Sequence, residues 1–227
     1  MIELIGRGLN IRELPNEITV SPSLLSLYEK CKYAVYHRLT HRWVELPERI
    51  TRGIEVHDRL EKVVKGEVKP TFQEMQILRF LNDLGHDFKT EQFMRLRING
   101  VKYIGKYDVL INNGSIILDF KVPFNKPLPS KLPKWYIESY QQIIYQRIIY
   151  ETLKTKPTFI LVFYDPEGVS RVFRWFELPF IGISHWNKVE NLAKKLLYDL
   201  SIENFSPTKD KKKCKYCIYR FTCPYAS

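Results

Sequence analysis

Asp108, Asp119 and Lys121 are the residues whose types and spacing could do chemistry together. They lie in the stretch Gly105-Lys-Tyr-Asp108-Val-Leu-Ile-Asn-Asn-Gly114-Ser-Ile-Ile-Leu-Asp119-Phe-Lys121. Asn113-Gly114 between two apolar, β-branched runs signals a hairpin with a type I′ turn. With those two residues as the loop, Ile111 pairs with Ile116 and Asp108 falls directly opposite Asp119. The Cβ atoms of such partners lie about 4.5–5.5 Å apart. Lys121, two residues beyond Asp119, shares its face by the period-2 alternation of a strand. Facing carboxylates repel, so the hairpin needs a protonated aspartate, another register, or a cation between the two. A solvated hairpin with charged ends accounts for the stretch equally well. The sharper reading is a divalent metal, because hard oxygen ligands suit magnesium or manganese. An Asp followed by Asp-x-Lys is also what metal-assisted phosphodiester hydrolysis needs. The carboxylates hold the metal, the metal activates water and stabilises the phosphorane charge, and the lysine helps place the water.

A second constellation is made of cysteines. Cys214, Cys217 and Cys223 crowd into the tail, with Pro224 after the last, and Cys31 stands far upstream. Four thiolates suit an iron–sulfur cluster or a structural zinc. Zinc more often takes two local pairs, and a proline after the last cysteine also occurs in iron–sulfur ligation. Plain thiols stay open, and disulfides are disfavoured in a reducing cytosol. Any site built from all four would tie the first helix to the C-terminus.

The elements that must position these residues can be read from pattern. Ser21-Pro22 starts a helix over 22–40 whose stripe carries Leu24, Leu27, Tyr28, Cys31, Val35 and Leu39. A helix over 53–65 puts His57, Leu60 and Val64 on one face, with Glu55 and Asp58 solvated. His57 there is a satisfied core residue unless that face looks at the two aspartates. A third helix spans 71–84, with Met75, Ile77, Leu78, Phe80 and Leu81 as core material. Residues 89–121 form an antiparallel meander turning at Asn99-Gly100 and Asn113-Gly114, with Glu91 facing solvent. Gly105 inside a strand points to close approach of another backbone or a ligand. Residues 122–134, with four prolines and three lysines, make a semi-rigid basic loop beyond Lys121 or an ordinary crossover connection. A helix over 135–153 sets Ile137, Gln141, Ile144, Tyr145 and Ile148 on one face, and Gln146 and Tyr150 repeat the Gln-x-x-x-Tyr spacing beside it. Strands over 158–164 and 169–177 and a helix over 184–201 follow. The class is α/β, a mixed central sheet flanked by helices.

The chain has 227 residues with 36 Lys+Arg against 25 Asp+Glu, a formal charge of +11. That balance favours a polyanionic partner, nucleic acid or an anionic membrane surface. No apolar run approaches the ~18 residues of a membrane span, and the opening residues do not form a signal peptide. The expectation is a soluble cytoplasmic protein without repeats.

His57, Asp108, Asp119-Phe120-Lys121 and Gln141-x-x-x-Tyr145 resemble the motif series of the RecB-type PD-(D/E)XK nucleases. Cys31 with Cys214-x2-Cys217-x5-Cys223-Pro resembles the iron–sulfur branch of that group. The whole is most similar to the fourth CRISPR-associated (Cas) nuclease family, across residues 21–224. The resemblance implies a restriction-endonuclease-like core over 53–183 and a helical satellite, 1–52 with 184–227, stapled by a [4Fe–4S] cluster on the four cysteines. It implies manganese or magnesium held by His57, Asp108, Asp119 and the Phe120 carbonyl, with Lys121 catalytic and Gln141 and Tyr145 positioning. It further implies an exonuclease on single-stranded DNA or single-stranded overhangs, often 5′→3′, with endonuclease activity in some relatives. Such enzymes trim prespacer ends for the CRISPR integrase in antiviral defence, and oligomers occur. An iron–sulfur DNA-binding subunit with an inactive site, and a related nuclease of recombination or mobile elements, remain as alternatives. Asp119 stands where many relatives carry glutamate.

Overall fold

The computed structural model describes residues 17–40, 46–123, 126–168 and 172–226, apart from the side chain of Glu91. The chain start, residues 124–125 of the basic loop, and 169–171 at the expected start of the last strand lie outside the described residues.

The meander forms as its turn residues dictate. β2 (Phe88–Ile98) runs antiparallel to β3 (Val101–Ile111), which turns into β4 (Ile116–Lys121). Asn113 and Gly114 hold φ of 50° and 90°, and the Ser115 N–H donates to the Asn112 carbonyl at 3.2 Å. Positive φ at both central residues is the type I′ geometry. Ile111 pairs with Ile116 and Val109 with Leu118, the register expected from the turn.

From β4 the chain crosses through α5 (Tyr140–Leu153) to β5 (Thr158–Tyr164), which lies parallel to β4. β6 (Phe173–Leu178) adds antiparallel, and the short β1 (Thr19–Val20) adds parallel to β3. The result is a mixed sheet in the order β1-β3-β4-β5-β6, with β2 also on β3. Helices cover both faces. Leu24, Leu25 and Tyr28 of α1 (Pro22–Lys30), Ile144 and Ile148 of α5, and Trp186 and Ala193 of α6 (Ile183–Ser201) share one core with Tyr103, Ile117 and Leu161. Leu60 of α3 (Glu48–Val64) and Ile77 and Leu81 of α4 (Phe72–Leu84) close the other face over Leu118, Phe120 and Val162.

Three expectations about helices change. The segment 22–40 is two helices, α1 and α2 (Lys32–Thr40), broken at Cys31, whose backbone is extended. The break lets Cys31 line the cavity that the tail cysteines also line. The helix expected over 135–153 begins only at Tyr140, after a 3-10 turn at Lys134–Tyr136, with Ser139 capping Gln142. Ile137 is therefore exposed and not part of the buried stripe. On α4, Met75 is exposed rather than core.

α4 opens with a capping box that also joins α3. Glu74 Oε2 accepts the Thr71 N–H at 2.7 Å, and its two oxygens accept Arg59 Nε and Nη2 at 2.9 and 3.0 Å. Burial pushes the Glu74 carboxyl up, but Arg59 and Thr71 outweigh it and hold the group below its ordinary value. Glu74→Gln is expected to destabilise the fold by about 1–3 kcal/mol at neutral pH. Because the folded pKa is depressed, this contribution is present above the unfolded value near ~4.3 and is lost as pH falls through the folded value. Urea unfolding at pH 7 and pH 3 should show the gap between wild type and variant closing on acidification. A gap of constant width would contradict the assignment.

Candidate active site

The site lies where β3 and β4 part. Tyr107 and Leu110 belong to one core and Val109 and Ile111 to the other, so side-chain alternation along β3 slips at Asp108. The Asp108 carboxylate turns toward β4, and its Oδ2 accepts the Phe120 N–H at 2.7 Å. A side chain thus takes a ladder bond that a carbonyl would otherwise make. Its Oδ1 lies 3.0 Å from His57 Nδ1, so the α3 face bearing His57 does look at the aspartates. Burial opposes a charge on the His57 imidazole, but the Asp108 hydrogen bond and the charges of Asp108 and Asp119 outweigh it and raise its pKa.

Asp119 is only 3% exposed. Its Oδ1 accepts from Gln141 Nε2 in a short contact. Lys121 Nζ stands 2.5 Å from Oδ2, so that buried oxygen is paired with the ammonium. Lys121 also donates to Gln141 Oε1 at 3.0 Å. Gln141 therefore bridges the carboxylate and the ammonium, which is the partner that a polar residue in an apolar stripe requires. Burial pushes the Asp119 carboxyl above its ordinary value, Lys121 draws it down, and Asp108 adds to the rise. For Lys121 burial disfavours the charge, and Asp119 more than restores it, so the ammonium persists.

Tyr145 hydrogen-bonds to Gln141 and to the Lys106 backbone, while burial pushes its phenol up to about 12. Its ring lies against Gly105, where a Cβ would come within 2.9 Å of the ring Cδ1. That is the close approach the strand glycine implied. Gly105→Ala is expected to cost about 1–3 kcal/mol by overpacking. Equilibrium unfolding checks this, and an unchanged midpoint would contradict it. The competing pair lies elsewhere. Gln146 is buried, donating to the Pro157 and Pro179 carbonyls at 2.9 and 3.1 Å and accepting from the Ile181 N–H at 3.1 Å, and Tyr150 packs on Phe180.

Two neighbours carried no functional assignment at the level of sequence. The Tyr136 ring lies 5.8 Å from Lys121 Nζ, and Lys106 lies 5.6 Å from the exposed Phe93 ring. The sequence signal for Tyr136 was the basic, aromatic run after Pro133, and for Lys106 its place beside Gly105 in the stretch that leads to Asp108.

Asp108, Asp119 and His57 offer hard oxygen and imidazole donors close enough to act on one another's charge, so the donor chemistry fits magnesium or manganese. With the side chains paired as they stand, no three His, Cys, Asp or Glu among the described residues are grouped to hold an ion. Cys31, Cys214, Cys217 and Cys223 are free and line one cavity. Main-chain N–H groups surround the sulfurs. Thr208 donates to Cys31 at 3.4 Å, Tyr219 to Cys217, and Tyr225 and Ala226 to Cys223. Burial pushes the Cys217 and Cys223 thiols up, the N–H donors draw them down, and the neighbouring cysteines push them up. Such donors suit sulfurs that carry negative charge, as cluster ligands do.

No protein-family model matches the chain, and no curated protein matches it in sequence. Solved structures do share its fold. A candidate exonuclease from Eubacterium rectale is 16% identical, with a TM-score of 0.56, covering 90% of this chain and 87% of its own. The alkaline exonuclease LHK-Exo of Laribacter hongkongensis, solved in complex with dAMP, is 14% identical with a TM-score of 0.51, covering 82% of this chain and 89% of its own. The likeness establishes the α/β architecture, a mixed sheet with helices on both faces. Among the described residues no helix is long and apolar enough to cross a membrane.

Proposed function

We propose that the chain is a divalent-metal-dependent deoxyribonuclease that shortens single-stranded DNA or single-stranded overhangs. The observation that carries the reading is the Gln141 bridge between Asp119 and Lys121, set beside the Asp108–His57 pair at the parting of β3 and β4. His57, Asp108, Asp119 and the Phe120 main chain would hold manganese or magnesium, which would supply an activated water and neutralise charge at the scissile phosphate. Lys121, kept protonated by Asp119, orients the attacking water and meets the developing negative charge. Gln141 fixes the lysine against the carboxylate, and Tyr145, wedged on Gly105, fixes Gln141. The +11 charge supports a polyanionic substrate. Both fold relatives are described as exonucleases, one with a nucleotide bound, which supports the same class.

The motif resemblance extends the proposal. It makes the core a PD-(D/E)XK nuclease over residues 53–183, with 1–52 and 184–227 carrying a [4Fe–4S] cluster on Cys31, Cys214, Cys217 and Cys223. It makes the activity 5′→3′, with some endonucleolytic cutting, and the role the trimming of prespacer ends for the CRISPR integrase in the cytoplasm.

The test is cleavage of single-stranded DNA labelled at either end, with manganese, magnesium or chelator. Metal-dependent shortening from the 5′ end is expected. DNA bound but uncut under every metal would replace this reading with an iron–sulfur binding subunit.

A further inference from the structure

Two cavities, about 430 and 800 Å³, meet at the segment before α5 and share Trp135, Ser139, Tyr140 and Ser26. The first opens onto Gln141 and Tyr145 and also holds Arg38, Phe93 and Lys106. The second leads away past Lys30, Lys188 and Lys213. Together they form one trough that leaves the carboxylate site, with Trp135 on the divide.

Trp135 is 75% exposed, although a tryptophan surrenders much apolar surface to water in that position. It is nevertheless held. It sits in the 3-10 turn Lys134–Tyr136, where the Ile137 N–H donates to the Lys134 carbonyl at 3.1 Å. The next residue, Tyr136, lies against the Lys121 ammonium and the Phe163 ring. The indole is thus carried on a short, proline-led segment anchored beside the reacting groups. Cations flank it on both sides. The acidic residues of the trough are engaged: Glu29 by the Tyr140 hydroxyl, and Glu138 by His185 at 3.0 Å.

An exposed aromatic ring carried on a hydrogen-bonded turn between two cationic hollows is the arrangement that takes an unpaired base on its face and the neighbouring phosphates on either side. We propose that Trp135 stacks on one unpaired base of the single strand whose phosphodiester enters the carboxylate site. Lys106 and Arg38 meet the backbone on the near side of that base, and Lys30, Lys188 and Lys213 on the far side. The proposal rests on the nuclease reading for the direction of the strand, while its test involves no turnover.

The test measures binding of fluorescein-labelled single-stranded DNA by anisotropy in chelator, for wild type, Trp135→Phe and Trp135→Ala. The side chain is exposed, so both variants fold, and circular dichroism verifies it. Stacking is worth about 1–3 kcal/mol per base, so Trp135→Ala should weaken binding by about 5- to 150-fold, with Trp135→Phe close to wild type. A series of oligomers, each with one abasic position, gives the specific signature. At one position the wild type loses affinity and Trp135→Ala loses no more. Unchanged binding by Trp135→Ala, an equal loss on blunt duplex, or an additive loss at every abasic position overturns the proposal. A wild type that binds single strands yet cuts none would remove the nuclease reading and leave the stacking. A wild type that cuts while Trp135→Ala binds normally would remove the stacking alone.

Discussion

Asp119→Ala is expected to lower metal-dependent cleavage of single-stranded DNA by about 10²–10³-fold while leaving DNA binding and the fold in place. The size follows from the number of roles the carboxylate holds. It accepts from Gln141, pairs with Lys121, and is one of the carboxylates proposed to hold the metal. Removing one preorganised charge at a reacting centre commonly costs that factor. The fold should tolerate the loss because Lys121, deprived of the carboxylate that sustains its charge, can shed its proton rather than remain an unpaired buried cation. Single-turnover rates with manganese, set beside anisotropy and thermal melts, separate these effects. Wild-type rates in the variant would remove Asp119 from the site. A collapse of the melt would show instead that it serves the fold.

Cys223→Ser and Cys31→Ser are each expected to strip iron from the purified protein and lower its melting temperature by at least about 5 °C. Ligand binding to a site formed only in the folded chain is folding free energy, and one kcal/mol shifts the midpoint by about 2–4 °C at this size. The two variants sample opposite ends of the chain, so equal losses would show that one centre joins the α1–α2 break to the tail. Asp119→Ala should keep its full iron. Metal analysis decides between outcomes. Unchanged iron in both variants excludes the cluster, and zinc in the wild type in place of iron would reassign the four sulfurs.

The hairpin was legible in the sequence because its information is local. Asn113-Gly114 can adopt the positive φ of a type I′ turn, and β-branched runs on both sides fix the register as far as Val109 and Leu118, the last ladder pair before Asp108 and Asp119. Gly105 was legible for a similar reason, as an absent side chain inside a strand. The helix break at Cys31 was not legible. No glycine or proline marks it, and the partner of the Cys31 sulfur, the Thr208 N–H, lies in a tail far along the chain. The late start of α5 was hidden in the same way. Ile137 fits the apolar stripe, yet Glu138 turns the chain with φ of 57° and Ser139 caps the helix. Pattern could not choose between the two Gln-x-x-x-Tyr pairs, since the choice depends on which face meets Lys121 and which meets the Pro157 and Pro179 carbonyls. His57 needed the same tertiary information to be brought to Asp108.

The ladder bond between Asp108 and the Phe120 N–H restricts position 108 in two ways at once. An acceptor of that reach is needed to close the edge of β4, whatever the chemistry beside it. Asparagine can supply the acceptor without the charge, and alanine supplies neither. A loss of activity in Asp108→Ala therefore confounds a missing charge with a loosened strand, and Asp108→Asn is the substitution that isolates the charge. On the proposed reading architecture and reactivity meet in one carboxylate, so a change at this position acts on the strand as well as on the chemistry.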